Sequence, residues 1–249
     1  MTADRFVLSP NLPESNVTLC VCSDDDTARA LASRGTEVLK TAASPFVLSE
    51  VSLHADMQMC HIGGNTVVVD VFQTDFTAKL RQKGFNVITD ASPTEKYPYD
   101  IRFNAAVCGG SFFGNMPYLS AKLRDAALSF GLNGIPVRQG YAKCSVCTVT
   151  NRAVITDDRG IAAAAKRNGF DVLEIEKGDI LLSDRHFGFI GGCCGKISKT
   201  SVAFTGSLDT HVNGAEIRDF LHRHNCEAVE LSAGKLKDVG GILPVKEEN

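Results

Sequence analysis

Apolar and polar positions recur along the chain in five similar stretches, each starting with a capping residue and continuing as an amphipathic helix. Asp and Ser accept hydrogen bonds from first-turn N–H groups, and Gly or Asn tolerates the left-handed turn that ends a helix. The pattern predicts helices over about residues 23–34, 76–83, 120–130, 159–167 and 215–224. A short strand is predicted after each helix, over 36–39, 85–89, 134–137, 170–175 and 227–231.

Pairs of apolar strands precede four of these helices, and each pair is interrupted by a turn rich in Gly or Asn. The turns begin at Gly63, Gly109, Thr150 and Gly191, which are 46, 41 and 41 residues apart. Gly and Asn suit tight hairpins because the central residues take positive φ. The unit is therefore strand, hairpin, strand, helix, strand, repeated five times in a single α/β domain spanning residues 1–249.

The first unit lacks one strand, since the apolar run 16–22 stands almost alone before its helix. The unpaired C-terminal run 239–245 is predicted to fill that place. Pairing there would close the five units into a ring and remove an open sheet edge.

Composition narrows the class of protein. The chain has 44% hydrophobic and 22% charged residues, as expected for a folded domain, and its net charge of −3 comes without a basic stripe, so a nucleic-acid partner is not expected. No apolar run reaches the roughly 20 residues that span a bilayer, and no leader pattern opens the chain, so a cytoplasmic protein without membrane association is expected. The nine cysteines fall mostly in apolar runs, as reduced core thiols do.

Three runs carry a family resemblance: 54–61 (HADMQMCH), 138–147 (RQGYAKCSVC) and 188–192 (GFIGG). They resemble a bacterial family of unknown function assigned to the pentein fold, and the resemblance extends over nearly the whole chain. That fold is the five-bladed α/β propeller of guanidino-group-modifying enzymes such as arginine deiminase, dimethylargininase and the amidinotransferases. The resemblance implies a five-bladed pentein-type propeller built from the strand-hairpin-strand-helix-strand repeat.

The resemblance also implies a site at the mouth of the central channel, where the innermost strands begin. In the enzymes an acidic residue binds the guanidinium, a histidine acts as acid and base, and a C-terminal cysteine attacks the guanidinium carbon. The corresponding positions in this chain are His54, Asp56, Arg102, Asn104, Tyr141, Lys143, Cys144, His186 and Asp238. Two departures stand out: the run 238–244 has no cysteine, and the run 140–143 has no histidine.

His54 and Asp56 form the first candidate pair, because strand alternation would put both on one face if the segment is extended. A carboxylate near an imidazole orients it, although a polar loop entering a strand explains the same residues. Cys144 is the candidate nucleophile, because Lys143 and Arg138 are close in sequence and positive charge favours the thiolate. Core packing is the alternative for this cysteine.

Other cysteines and one histidine have weaker interpretations. Cys144 and Cys147 would point to opposite faces of a strand, so no metal site is expected there. Cys193 and Cys194, in a glycine-rich turn, are predicted to be more exposed and are a second choice of nucleophile. His61, beside the hairpin glycines, is predicted to face solvent.

The leading hypothesis is a cysteine-dependent hydrolase or transferase that acts on a guanidino or amidine group of a small cationic or amino-acid-like ligand. His54, Asp56 and Cys144 would take part in the reaction, while Arg102, Asn104, Tyr141, Lys143 and Asp238 would bind the ligand. No cofactor or metal is expected. The competing hypothesis is a non-catalytic pentein that binds a small ligand or a macromolecular partner, which the missing C-terminal cysteine and the missing histidine favour.

Overall fold

The computed structural model describes residues 4–183 and 186–249 of the chain. Within these ranges the strands form five small sheets, four of three strands and one of four. The strands are β1 (Asp4–Phe6), β2 (Val17–Val21), β3 (Glu37–Leu39), β4 (Met59–Gly63), β5 (Thr66–Asp70), β6 (Asn86–Asp90), β7 (Ala106–Cys108), β8 (Ser111–Gly114), β9 (Asn133–Pro136), β10 (Val146–Thr150), β11 (Ala153–Thr156), β12 (Asp171–Glu174), β13 (Cys194–Lys196), β14 (Ser201–Phe204), β15 (Glu227–Glu230) and β16 (Leu243–Glu248).

One helix accompanies each sheet, preceding its last strand in sequence. The helices are α1 (Asp25–Ala32), α2 (Thr74–Gln82), α3 (Ala121–Ser129), α4 (Arg159–Arg167) and α5 (Gly214–Arg223). Asp24, Ser120 and Asp158 cap α1, α3 and α4 by accepting a bond from a first-turn N–H, as the sequence pattern predicts. None of the helices in the described ranges is long and apolar enough to cross a membrane.

The repeating unit is the predicted one. In four sheets an antiparallel hairpin is followed by a helix and then by a parallel third strand, as in β4-β5-β6 and β10-β11-β12. A parallel strand cannot be reached by a tight turn, so the helix supplies the crossover connection. The five helices and the strands that follow them lie within a few residues of the predicted ranges.

The C-terminal strand completes the first sheet, whose order is β1-β16-β2-β3. β16 pairs antiparallel with both β1 and β2. It begins at Leu243, four residues later than the predicted start at 239, because Gly240 and Gly241 have φ near +78° and +79° and cannot extend a strand. Chain ends far apart in sequence therefore share one blade.

The fourth predicted hairpin is wrong. Gly191 and Gly192 lie in a 3₁₀ turn, Ile190–Gly192, that precedes β13, and the hairpin between β13 and β14 is made by residues 197–200. These glycines do not form the hairpin. They are needed because other atoms of the protein approach their Cα atoms closely. A Cβ atom on Gly192 would lie 1.9 Å from Oδ1 of Asp238. The last of the three spacings, from Thr150 to Gly191, was therefore not part of the hairpin period.

The described residues form six buried apolar clusters, one of them beside Cys144 and the other five each between two neighbouring blades. Residues of β2, β4, β5 and β16 form one cluster, and residues of β4, β7 and β8 form the next. Two more join the third blade to the fourth and the fourth to the fifth. The last joins Val17 and Cys20 of the first blade to Ala203 of the fifth, so the five blades close into a propeller and the predicted fold class is confirmed.

Asp157 is a buried acid at the end of β11. It is 4% exposed, and its Oδ1 has no hydrogen-bond partner among the described residues. Burial raises the pKa of this carboxyl from 3.8 to about 7. Between those two pH values the folded protein holds a proton that the unfolded chain has lost, so this group makes stability fall as pH rises through that window.

We therefore expect Asp157→Asn to be more stable than the wild type at pH 8, by on the order of 2 kcal/mol, and nearly equal to it below pH 4. The asparagine stays neutral at every pH, so its burial carries no charge penalty. Urea unfolding at both pH values measures the difference. An equal gap between the two proteins at both pH values would contradict the assignment.

Candidate active site

A pocket of about 260 Å³ opens where the innermost strands of the blades begin. Asp56, Asn104, Cys144 and Asp238 all stand a few residues before such a strand, namely before β4, β7, β10 and β16. The propeller thus brings residues from four distant parts of the chain to one end of its axis. The pocket is lined by Leu48, Glu50, Val51, His54, Met57, Tyr141, Cys144, Leu182, His186, Phe187, Phe189 and Asp238.

A larger groove, of about 790 Å³, lies near the start of α4 and includes Asp157 and Asp158. Two of its acidic groups have a cationic partner or a helix-capping role: Glu174 lies 3.6 Å from Arg159, and Asp158 accepts from Ile161 N. The smaller pocket is the candidate site, because a thiol, carboxylates and an imidazole line it, whereas the larger groove has no thiol and no imidazole among its lining residues.

Cys144 lies at the base of the pocket. Its thiol donates a hydrogen bond to Asp56 Oδ2 at 3.0 Å, and Asn104 Nδ2 donates to the sulfur at 3.1 Å. Burial and then the charges of Asp56 and Asp238 raise the pKa of the Cys144 thiol well above its usual range. In the free protein this cysteine therefore carries its proton.

Asn104 holds the base of the pocket together. Its Oδ1 accepts from the backbone N–H groups of Lys143, at 2.7 Å, and Cys144, at 3.3 Å. Its Nδ2 also donates to the Asp56 carbonyl at 3.1 Å. This fully buried amide therefore fixes the blade that carries Asp56 against the blade that carries Cys144.

Asp238 is the second buried carboxylate. Its oxygens accept from the backbone N–H groups of Phe189, at 2.9 Å, and Gly240, at 3.1 Å. Burial raises the pKa of this carboxyl, the nearby His54 opposes the rise, and the Asp56 charge adds to it. His54 Nδ1 lies 3.6 Å from Asp238 Oδ1, which is an ion-pair distance and too long for a hydrogen bond.

An aromatic wall rises above these groups. Tyr141 lies between Tyr97 and Phe189, with ring centroids 5.7 Å and 6.0 Å apart. Its hydroxyl donates to Asp100 Oδ2 at 2.5 Å, which locks the ring against the pocket. Burial and that carboxylate raise the pKa of Tyr141, so the phenol stays neutral.

Six of the eight predicted site residues come together: His54, Asp56, Asn104, Tyr141, Cys144 and Asp238. Arg102 does not join them, because it pairs with Asp90 at 2.9 Å and donates to the Ala91 carbonyl. Lys143 turns away from the pocket, donates to the Gly191 carbonyl at 3.0 Å and lines a cavity of about 20 Å³ on the other side of Asp56.

Four details differ from the sequence-based expectations. His54 and Asp56 are not in an extended segment, since residues 55–57 form a 3₁₀ turn. The expected thiolate at Cys144 is wrong, because carboxylates surround the sulfur while Lys143 points elsewhere. Cys193 and Cys194 are buried in the core. His61 is also buried, which lowers its pKa to about 4, and its Nε2 lies 2.8 Å from the Gly64 carbonyl.

At the rim of the pocket, His186 lies where the family resemblance implied a site residue, and Glu50 was not predicted. Glu50 lies in the 3₁₀ turn Ser49–Val51, between the first strand-helix-strand unit and the His54 segment, and its Oε1 is 3.6 Å from His186 Nδ1. The sequence signal was weak. No motif marks this part of the sequence. Leu48 and Phe187 are large apolar residues there, and both are exposed in loops of the structure.

Comparison with known proteins gives a family and a fold. The model of the family described as "Family of unknown function (DUF6873)" matches residues 22–243. No curated protein matches the sequence. The structure is similar to inosamine-phosphate amidinotransferase from Streptomyces griseus, with a TM-score of 0.60 and 10% identity over 97% of both chains.

Two further solved structures are similar. DDAH from Pseudomonas aeruginosa, a mutant complexed with citrulline, has a TM-score of 0.54 and 9% identity over 94% of this chain and 100% of that one. C. jejuni agmatine deiminase has a TM-score of 0.53 and 11% identity over 93% and 92%. At such identities the likeness concerns the fold alone, and it confirms the pentein architecture.

Proposed function

The chain belongs to the DUF6873 family and has the pentein fold, and from this premise we propose that its pocket binds a small organic cation with a guanidinium or amidinium group, whose central carbon Cys144 attacks. The supporting observation is a pair of buried carboxylates: Asp238 lines the pocket, and Asp56 lies directly behind Cys144, whose thiol donates to it at 3.0 Å. Neither has a Lys or Arg partner among the described residues. Two buried carboxylates that share at most one ionisable imidazole, His54, are costly, so the site favours a cation supplied by a ligand.

The shape of the site supports a planar cation. Asp56 Oδ1 and His54 Nδ1 have no hydrogen-bond partner among the residues that the structure describes. A guanidinium or amidinium group presents several N–H donors in one plane, which match carboxylate oxygens well. The faces of Tyr141 and Phe189 offer cation–π contact beside it.

The same arrangement suits attack by sulfur. A cation beside Asp56 and Asp238 offsets the charges that hold the Cys144 proton, so the thiol passes its proton to His54, which lines the same pocket, and becomes a thiolate. The sulfur bonds to the central carbon, and the C=N electron pair moves onto nitrogen. The leaving amine departs with the proton that His54 received, and an S-linked isothiouronium group stays on Cys144.

A second step releases the product. Water gives a proton to His54 and adds its oxygen to the same carbon, and the S–C bond then breaks to give a urea. The O–H proton of the product leaves to solvent, and the Cys144 sulfur takes its proton from His54. An amine acceptor in place of water would receive the amidino group instead, so hydrolase and transferase chemistry share the first step.

Binding without turnover is the second candidate function. It is favoured by the raised pKa of Cys144, whose proton the neighbouring carboxylates hold in the free protein. It is also favoured by the lack of a cysteine in 238–244. Both candidates use the same carboxylate pair and the same class of ligand.

The experiment is a turnover assay on a panel of guanidino and amidino compounds, with release of ammonia, amine or urea as the readout and thermal stabilisation as the measure of binding. Turnover supports the enzyme. Stabilisation without any release, with and without an added amine acceptor, supports the binding protein. A panel that neither stabilises the protein nor reacts contradicts both candidates.

Alkylation of Cys144 tests the state of the thiol. We expect iodoacetamide to modify this residue slowly at pH 7 in the free protein, and Asp56→Asn to speed the reaction at pH 8, because removing one neighbouring negative charge lowers the pKa of the thiol. Peptide mass spectrometry identifies the modified cysteine. Rapid labelling of the wild type near pH 6 would show that Cys144 is already a thiolate.

A further inference from the structure

The pocket has a further acidic group at its rim, in addition to the carboxylates Asp56 and Asp238 at its other end. Glu50 lines the opening, and its side chain is 28% exposed. Its own backbone N–H holds the pKa of this carboxyl below its usual value, so it is ionised at neutral pH. His186, whose Nδ1 is 3.6 Å away, is its nearest ionisable neighbour in the described lining.

Between rim and base the pocket is apolar. Leu48, Val51, Met57, Leu182 and Phe187 line it together with the aromatic wall. These side chains offer no hydrogen bonds to a polar chain, but they suit a run of methylene groups.

The described lining contains no Lys and no Arg. Arg102 and Lys143, which the sequence analysis assigned to ligand binding, are engaged elsewhere. An amino-acid ligand with its cationic head on Asp56 and Asp238 would carry both its α-ammonium and its α-carboxylate towards Glu50, where the carboxylate would meet a like charge and no Lys or Arg in the described lining.

We infer that the site takes an organic dication without a carboxylate: a guanidinium or amidinium head at Asp56 and Asp238, an apolar spacer, and a second cationic group at Glu50. This inference rests on the proposed function and narrows its substrate class from amino-acid-like ligands to aminoalkyl guanidines and related dications. Glu50 is then the specificity-determining residue, since a ligand amine beside it replaces the interaction with His186.

The test compares three ligands by titration calorimetry: butylguanidine, aminobutylguanidine and arginine, which share the head group and differ at the other end. A series of aminoalkylguanidines of different spacer length accompanies them. We expect aminoalkylguanidine of the best length to bind about 5-fold more tightly than its monocationic counterpart, and arginine to bind most weakly.

Glu50→Gln provides the second readout. It should remove the advantage of the dication and leave the affinity for butylguanidine unchanged. Glu216→Gln, a change on the exposed side of α5, is the matched control and should alter neither. Equal binding of butylguanidine and every aminoalkylguanidine, or arginine binding as tightly as the dications, overturns the inference while the proposed function stands. Failure of all guanidines to bind overturns the proposed function as well.

Discussion

Replacing Cys144 by serine is expected to lower turnover of a guanidino substrate by about 10³-fold or more, while the protein still binds that substrate. The hydroxyl keeps the hydrogen bond to Asp56, so the base of the pocket retains its shape. Serine is a far weaker nucleophile than a thiolate, and removal of a nucleophile typically has effects of this size or larger. Steady-state rates and calorimetric affinity for the same compound measure the two properties separately.

Cys226→Ser is the matched control for that experiment. Cys226 is a buried thiol lining a different cavity, where it contacts Lys196 at 3.5 Å. This variant should keep the wild-type rate. If Cys144→Ser also turns over at the wild-type rate, sulfur is not the nucleophile and the enzyme hypothesis in its present form is wrong.

Replacing Asp56 by asparagine is expected to weaken binding of a guanidinium ligand by about 30-fold or more, because one partner of a buried charge pair is lost. The free protein should become more stable, since the repulsion between Asp56 and Asp238 disappears. Stability that rises as binding falls is typical of residues kept for function. Calorimetric titration and urea unfolding give the two values.

Asp70→Asn is the comparison for Asp56→Asn. Asp70 is fully buried at the end of β5 and accepts from Phe72 N and Ser92 Oγ, outside the pocket. Its replacement should lower stability and leave ligand affinity unchanged. An Asp56→Asn protein that binds as tightly as the wild type would show that the carboxylate pair does not hold the cation.

The fold was predictable from sequence wherever one local rule acted alone. Helix caps such as Asp24 and Asp158 have a single physical purpose, so their positions fixed the helix starts. A glycine is less informative, because it can mark either a tight turn or a place where other atoms pack closely against the backbone. The Gly191-Gly192 pair looked like a hairpin turn but makes room for Asp238 and its neighbours, and that contact joins residues nearly 50 positions apart.

The sequence indicated which residues of the candidate site come together, and it indicated less about the charges around them. The repeat placed Asp56, Asn104 and Cys144 before innermost strands, and the closed ring brings those positions together. Sequence neighbours misled the analysis of charge, because adjacent side chains such as Lys143 and Cys144 point to different cavities. Glu50 was missed because it lies in a connecting turn outside the repeat.

The most direct test of the central claim is a calorimetric titration of the wild-type protein with butylguanidine and with butylurea. The two compounds have nearly the same shape, and only the first is a cation. If the buried pair Asp56 and Asp238 selects a cation, butylguanidine binds at least about 10-fold more tightly at pH 7.5. Equal affinity for the two compounds, or tighter binding of butylurea, would contradict the account.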